Sequence, residues 1–298
     1  MMHRKIVVFG ARGQVGWELQ RSLCCLGQVI PVISSEIDFS HLNKLRAYLS
    51  ELRPDVIVNA AAYTAVDKAE AEIEQARLVN EIAPTILSEE SIRYGSILIH
   101  YSTDYVFDGK SDVPYSEFSP TAPLNVYGVT KLAGDKAVLE SGCKHIIFRT
   151  SWVYSTRGRN FLRTMLRLAK EQPSIRIVSD QMGAPTSALL IAQASAAVLS
   201  QIVAPGSNIK KYSGLYNLTS SGVCSWYDFA REIFSIRSSL WNSPQPELKA
   251  ISSIEYAVPA QRPRNSHLSG ERLRRTFGIM VPSWQVALRT VLESMENA

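Results

Sequence analysis

Short apolar bursts alternate with segments that repeat every three to four positions through the first half of the chain. Lys5-Ile6-Val7-Val8-Phe9 is apolar and β-branched, which predicts a buried strand. Val15, Leu19 and Leu23 then recur at helical spacing. A second apolar run covers residues 29–33. Leu42, Leu45, Leu49 and Leu52 predict a helix capped by Ser40 and ended by Pro54. Residues 55–62 form a third strand that finishes in small side chains, and residues 81–94 a helix with Pro84 in its first turn. Residues 96–101 and 145–150 read as the fourth and fifth strands, with a helix around Tyr127 between them. This alternation predicts a doubly wound, Rossmann-like parallel sheet, whose ligands lie beyond the carboxyl ends of the strands. Gly10, Asn59, Ser102 and Thr150 all fall at those ends.

The later half is less regular. Helices are expected at 160–171, at 187–199, from Trp226 with Ser225 as cap, and at 283–295. Strands are expected at 175–178 and 214–218, a polar link at 207–213, and a Ser/Pro-rich loop at 238–247. The division that follows is a dinucleotide-binding domain at 1–151 and a smaller α/β substrate-binding lobe at 152–298, with segments returning to the Rossmann core.

Composition narrows the function. The 298 residues are 46% hydrophobic, enough for a large core. A net charge of +5 and a pI near 9.0 suit anionic small molecules without demanding nucleic acid. No stretch is long and apolar enough to span a bilayer, and the first apolar run turns at Gly10, unlike a signal peptide. Cys24, Cys25, Cys143 and Cys224 form neither a metal pattern nor a disulfide framework, and the five histidines are dispersed. A reduced, cytoplasmic protein is expected.

Two motifs carry chemistry. Gly10-Ala11-Arg12-Gly13-Gln14-Val15-Gly16 follows a strand and opens a helix. In that context Gly10 permits the turn, Gly13 admits a pyrophosphate, and Gly16 lets helix and strand approach. The helix N-terminus adds partial positive charge for phosphates. Tyr127 and Lys131 stand one helical turn apart on one face. A phenol ordinarily loses its proton near pH ~10. A neighbouring ammonium favours the phenolate, so the pair could exchange a proton with an alcohol or carbonyl oxygen.

Longer stretches carry a resemblance. Residues 13–19 (Gly-Gln-Val-Gly-Trp-Glu-Leu), 59–70, 101–107 (Tyr-Ser-Thr-Asp-Tyr-Val-Phe), 123–128, 149–154, 180–186 and 262–266 resemble the extended short-chain dehydrogenase/reductases. Within them the chain is similar to the dTDP-4-dehydrorhamnose reductase family over nearly its whole length. The resemblance implies hydride transfer from NADPH, or NADH, to the C4 keto carbon of a dTDP-sugar. It makes Thr103, Tyr127 and Lys131 catalytic. Gly10, Gly13, Gln14, Val15, Asp38, Phe39, Ala60, Ala61, Ala62, Tyr63, Thr64, Tyr127 and Lys131 would bind the cofactor. Thr103, Asp104, Trp152, Asn160, Gln181, Thr186 and Arg262, with Arg264 beside it, would face the nucleotide-sugar. Trp152 could instead be a buried junction residue, and Arg262 a structural salt-bridge partner. The second strand ends in Ile33-Ser34-Ser35, with no acid among them to repel a 2′-phosphate, and Arg12 could reach it. Some relatives use glutamates and Mg²⁺ at a dimer contact. Glu18 keeps one such position, but Leu189 cannot ligate a cation, so the metal and the homodimer stay open. An epimerase, a dehydratase or a non-catalytic cofactor-binding subunit are the rival readings.

Overall fold

The computed structural model describes residues 4–241 and 245–296. Six strands make the central sheet: β1 (Lys5–Phe9), β2 (Gln28–Val32), β3 (Val56–Asn59), β4 (Ile97–Thr103), β5 (Lys144–Thr150) and β10 (Gly214–Asn217). Their order is β10-β5-β4-β3-β1-β2, and every pairing is parallel. Successive residues of each strand feed opposite faces, as the pleat requires. Ile6, Val8, Val56, Val58, Ile99, Ile146 and Phe148 enter one apolar core, while Val7, Phe9, Ile57, Leu98 and Ile147 enter another. Both faces are therefore covered, which explains the unbroken apolar runs.

Helices α1 (Gln14–Ser22) and α8 (Ala188–Ile202) pack together on the first face. The second carries α2 (Leu42–Leu52), α5 (Ala83–Tyr94) and α6 (Val126–Glu140). Short helices α3 (Val66–Ala69) and α4 (Ile73–Arg77) precede α5. The expected start at Glu81 is too late. Helix begins at Ile73 and passes through a π turn at Leu78–Ile82. Pro84 has no N–H for the Asn80 carbonyl, so the regular ladder breaks there. Ser40 is not the cap of α2. His41 holds that position without a side-chain bond, and the Ser40 hydroxyl contacts His41 Nδ1.

The later residues build a lobe. It holds the short strands β6 (Val153–Tyr154), β7 (Ser174–Val178), β8 (Met182–Gly183), β9 (Thr186–Ser187), β11 (Cys224–Ser225) and β12 (Glu247–Ile251). Its helices are α7 (Phe161–Glu171), α9 (Trp226–Trp241) and α11 (Trp284–Glu296), whereas α10 (Glu271–Phe277) returns to the central sheet, packing on β10 with Leu273 and Phe277 in the first core. Asn160, Ser187 and Ser225 cap α7, α8 and α9 by accepting backbone N–H bonds. Tyr154, Leu162, Phe229, Ile233 and Leu288 form a separate core. The expected loop at 238–247 is partly wrong. Helix α9 continues to Trp241, residues 242–244 lie outside the described residues, and β12 begins at Glu247 beside β7. The apolar face of α9 outweighs the loop preference of its serines.

Candidate active site

Strand register brings the key residues together. Phe9 pairs with Asn59, Asn59 with His100, and Thr103 with Thr150, so the glycine turn and Thr103 share one sheet edge. Gly10 sits at φ +75, where a Cβ would lie 2.6 Å from the Ala60 carbonyl oxygen. A Cβ on Gly16 would lie 2.1 Å from the Gly10 oxygen. Both positions therefore require glycine. Gly13 is exposed at the α1 N-terminus, where no side chain caps the helix. Gln14 and Val15 begin α1, and Ala60, Ala61 and Ala62 leave β3 across the turn. This is a cradle of backbone N–H groups and small side chains that fits a dinucleotide diphosphate.

Opposite it, α6 is clamped onto the end of β4. Asn125 caps α6 by accepting from Gly128 N (2.8 Å) and donates to the Gln261 carbonyl (2.8 Å). A Cβ on Gly128 would meet the Tyr105 oxygen at 2.2 Å. That contact brings the Tyr127 phenol beside the Thr103 hydroxyl, close enough for Thr103 to favour the phenolate. The Tyr105 ring meets Tyr127 edge-on at 5.9 Å. Thr103 also donates to Asp104 Oδ1 (3.1 Å). Burial pushes Asp104 up to about 7, against the nearby Ser266 and Thr103 hydroxyls.

Lys131 corrects one expectation. Burial pushes the Tyr127 phenol up to about 12, opposed by the Thr103 hydroxyl beside it, and no lowering by Lys131 offsets it. The Lys131 Nζ instead turns onto the Tyr101 carbonyl (2.5 Å) and His100 Nε2 (3.2 Å). Burial brings Lys131 down to about 8, with Asp135 opposing. The two side chains share a helix face, as their spacing requires, but their polar ends point to different partners.

The remaining expected cofactor residues divide. Tyr63 is fixed by Asn80, which accepts from Tyr63 N (2.9 Å) and donates to Tyr63 O (3.1 Å). Its phenol reaches Glu72, and Thr64 is exposed beside it. Asp38 is exposed, accepting from Ser40 N. Phe39 does not reach the crevice: it is buried in the core with its ring 5.3 Å from Phe9. Arg12 is exposed on the glycine turn.

On the far side lies a cleft of about 1560 Å³. Gln181, Arg262 and Arg264 line it, with Leu124 from the approach to α6 and Trp226 from α9. Arg262 is paired with Asp67 (2.8 Å), donates to the Ala260 carbonyl (3.2 Å) and lies near the Tyr105 phenol. Three residues expected at the substrate are engaged elsewhere. Trp152, at φ +46, stacks on Trp226 at 3.5 Å, and its indole leaves Gly183 no room for a Cβ. Asn160 caps α7 and donates to Gln14 Oε1 (2.8 Å), tying the lobe to the glycine turn. Thr186 is fully buried, donating to the Ala184 carbonyl and accepting from Ser220 N.

The sequence reading missed a buried polar chain beneath Lys131. Asn59, His100, Ser102, Asp135 and Arg149 are all at most 5% exposed. Ser102 donates to Asp135 Oδ2 (2.7 Å), which also pairs with Arg149 Nε (3.3 Å). Asp135 lies one turn beyond Lys131, and His100 and Ser102 alternate with apolar β4 residues; these polar interruptions were the available signal. Glu18 and Leu189 lie on the packed pair α1 and α8. Among the described residues no three His, Cys, Asp or Glu side chains gather to hold a metal.

Comparison with known proteins agrees over the whole chain. The family model described as RmlD substrate binding domain matches residues 4–297. The dTDP-4-dehydrorhamnose reductase of Escherichia coli K12 is 45% identical over 295 residues, 97% of each chain. The protein of that name from Burkholderia thailandensis is 47% identical, covering 95% of this chain and 96% of that one. A dTDP-4-dehydrorhamnose reductase from Bacillus anthracis, solved in complex with NADP, superposes with a TM-score of 0.88. It is 33% identical, covering 98% of this chain and all of that one. The chain belongs to the RmlD substrate binding domain family, among the dTDP-4-dehydrorhamnose reductases.

Proposed function

We propose that the chain reduces the C4 keto group of dTDP-4-dehydro-L-rhamnose to give dTDP-L-rhamnose, the last step in making that nucleotide-sugar. The observation that carries this reading is the convergence of the Thr103 hydroxyl and the Tyr127 phenol at the β4 edge, the edge that also holds the glycine turn. The full-length likeness to reductases of that name supports the substrate.

Bound NADPH, or NADH, supplies the hydride. Gly10, Gly13, Gln14 and Val15 cradle its diphosphate, with Ala60, Ala61, Ala62, Tyr63 and Thr64 along the dinucleotide. Tyr127 gives its phenolic proton to the alkoxide that forms at C4. Thr103 turns its hydroxyl from Asp104 to the keto oxygen, a bond that strengthens as negative charge grows. Once released from the Tyr101 carbonyl, Lys131 would hold the nicotinamide ribose and stabilise the phenolate left on Tyr127. Arg262 and Gln181 contact the diphosphate side of the sugar nucleotide in the cleft. In this reading residues 1–151 bind the cofactor, and residues 152–298 mainly bind substrate. A homodimer is compatible with this reading, which needs neither Mg²⁺ nor nucleic acid. Among the described residues no helix is long and apolar enough to cross a membrane, and we place the enzyme in the cytoplasm.

The test starts from dTDP-glucose, converts it through the preceding dehydratase and epimerase steps, and adds this protein with NADPH or NADH. Stoichiometric cofactor oxidation with formation of dTDP-rhamnose is expected. Redox-neutral turnover would transfer the protein to the epimerases or dehydratases, and no turnover with retained cofactor binding to the non-catalytic subunits.

A further inference from the structure

The Lys131 amine is held by more than a helix. Its Nζ lies 2.5 Å from the Tyr101 carbonyl oxygen and 3.2 Å from His100 Nε2. The other ring nitrogen, His100 Nδ1, is 3.1 Å from Asn59 Nδ2. Asn59 cannot turn its amide over freely, because Oδ1 accepts the Ala61 backbone N–H (3.2 Å). The nitrogen end of that amide is a donor, so Nδ1 must accept. A neutral imidazole carries one N–H, and here it falls on Nε2, aimed at Lys131. A neutral amine can accept that hydrogen while giving one of its own to Tyr101. An ammonium has no lone pair, and two donors would oppose each other.

Charged and polar groups enclose this unit. Helix α6 contributes Lys131 and Asp135, β3 Asn59, β4 Ser102 and the Tyr101 carbonyl, and β5 Arg149. Asp135 Oδ1 has no hydrogen-bond partner and lies 3.9 Å from His100 Nε2. Asp135 Oδ2 is taken by Ser102 and Arg149, and Oδ1 at 3.9 Å is beyond hydrogen-bond reach of the ring, which leaves Lys131 at 3.2 Å as the partner of Nε2.

We propose that His100, with its tautomer fixed by Asn59, is a positioning residue that selects the protonation state and direction of Lys131. Its Nε2–H holds the neutral amine back against Tyr101. Protonation sets donor against donor and drives the ammonium outward, toward Tyr127 and the ligand hydroxyls where the reaction needs it. This deepens the reductase reading and rests on it for the consequence in turnover alone.

Two measurements on the ligand-free full chain test the idea. Long-range ¹H–¹⁵N correlation of ¹⁵N-histidine protein reads the His100 tautomer in the wild type. An Nε2–H imidazole is expected; an Nδ1–H imidazole overturns the proposal. Titration of ¹³Cε-lysine protein, with the Lys131 signal assigned through Lys131→Arg, reads the amine itself. Asn59→Asp keeps an acceptor for the Ala61 N–H but makes the Nδ1 side an acceptor too. The ring proton then moves to Nδ1, and the Nε2 lone pair faces Lys131. The Lys131 midpoint should rise by about one pH unit or more, a tenfold gain in proton affinity. An unmoved midpoint in the folded variant overturns the proposal. If that variant does not fold, the wild-type tautomer still decides. Neither reading needs turnover, so a protein without reductase activity leaves the inference standing. An active reductase with the Nδ1–H tautomer ends the inference alone.

Discussion

The two walls of the crevice are made differently. On the Tyr127 wall, strand register and helix pitch set every position, and the polar groups are buried and mutually bonded. On the Arg262 wall, short strands and loops carry the polar groups, and an ion pair with Asp67 crosses from one half of the chain to the other. The first wall can hold atoms for chemistry because little there is free to move. The second can adapt to a large, charged ligand. Mutations should therefore split into losses of rate on one side and losses of affinity on the other.

Tyr127→Phe should separate the walls most sharply. Removing the proton donor should lower kcat by about a thousandfold, with cofactor affinity retained. Near-normal turnover, measured by NADPH oxidation, would remove Tyr127 from the reaction.

Asp104 probes the same wall through stability. Its carboxyl is held up at about 7, above 3.8 for an ordinary aspartate, mainly by burial. The folded state thus binds a proton that the unfolded chain has lost between those values. Stability should fall as pH rises from about 4 to about 7, by up to about 4 kcal/mol from this group. Asp104→Asn should flatten that slope in denaturant titrations at several pH values; an unchanged slope would assign it to other groups.

Arg262→Ala tests the other wall. A charged hydrogen-bond partner is worth about 1.5–3 kcal/mol. KM for the sugar nucleotide should rise about tenfold or more, with kcat within about threefold. An unchanged KM would leave Arg262 as a structural partner of Asp67 and Tyr105.

The difference between the walls also decided what the sequence could reveal. The parallel sheet was legible because its strands are apolar on both faces, Gly10 and Thr103 because strand register brings them to one edge, and Tyr127 because it stands one helical turn from Lys131. Lys131 was legible as a residue but not in its direction, which depends on His100 and Tyr101 in another element. Phe39 was misplaced because a local pair does not say which side chain turns inward; the apolar ring did. Asn160 was read as a ligand, yet its amide serves a helix cap and Gln14. Capping and ligand binding favour the same residue types, so sequence cannot separate them.

Thr186 is the smallest and cleanest case of that ambiguity. Its hydroxyl has a carbonyl to bond and an N–H to receive, both inside the protein. Val has nearly the same shape and neither capacity, so Thr186→Val leaves the Ala184 carbonyl and the Ser220 N–H short of a partner. The cost should be about 1–3 kcal/mol in stability, read from chemical denaturation. A buried brace makes no substrate contact, so KM should stay within about twofold at a temperature where the variant is folded. A KM rise matching that of Arg262→Ala, without loss of stability, would move Thr186 from the frame of the lobe to the wall of its cleft.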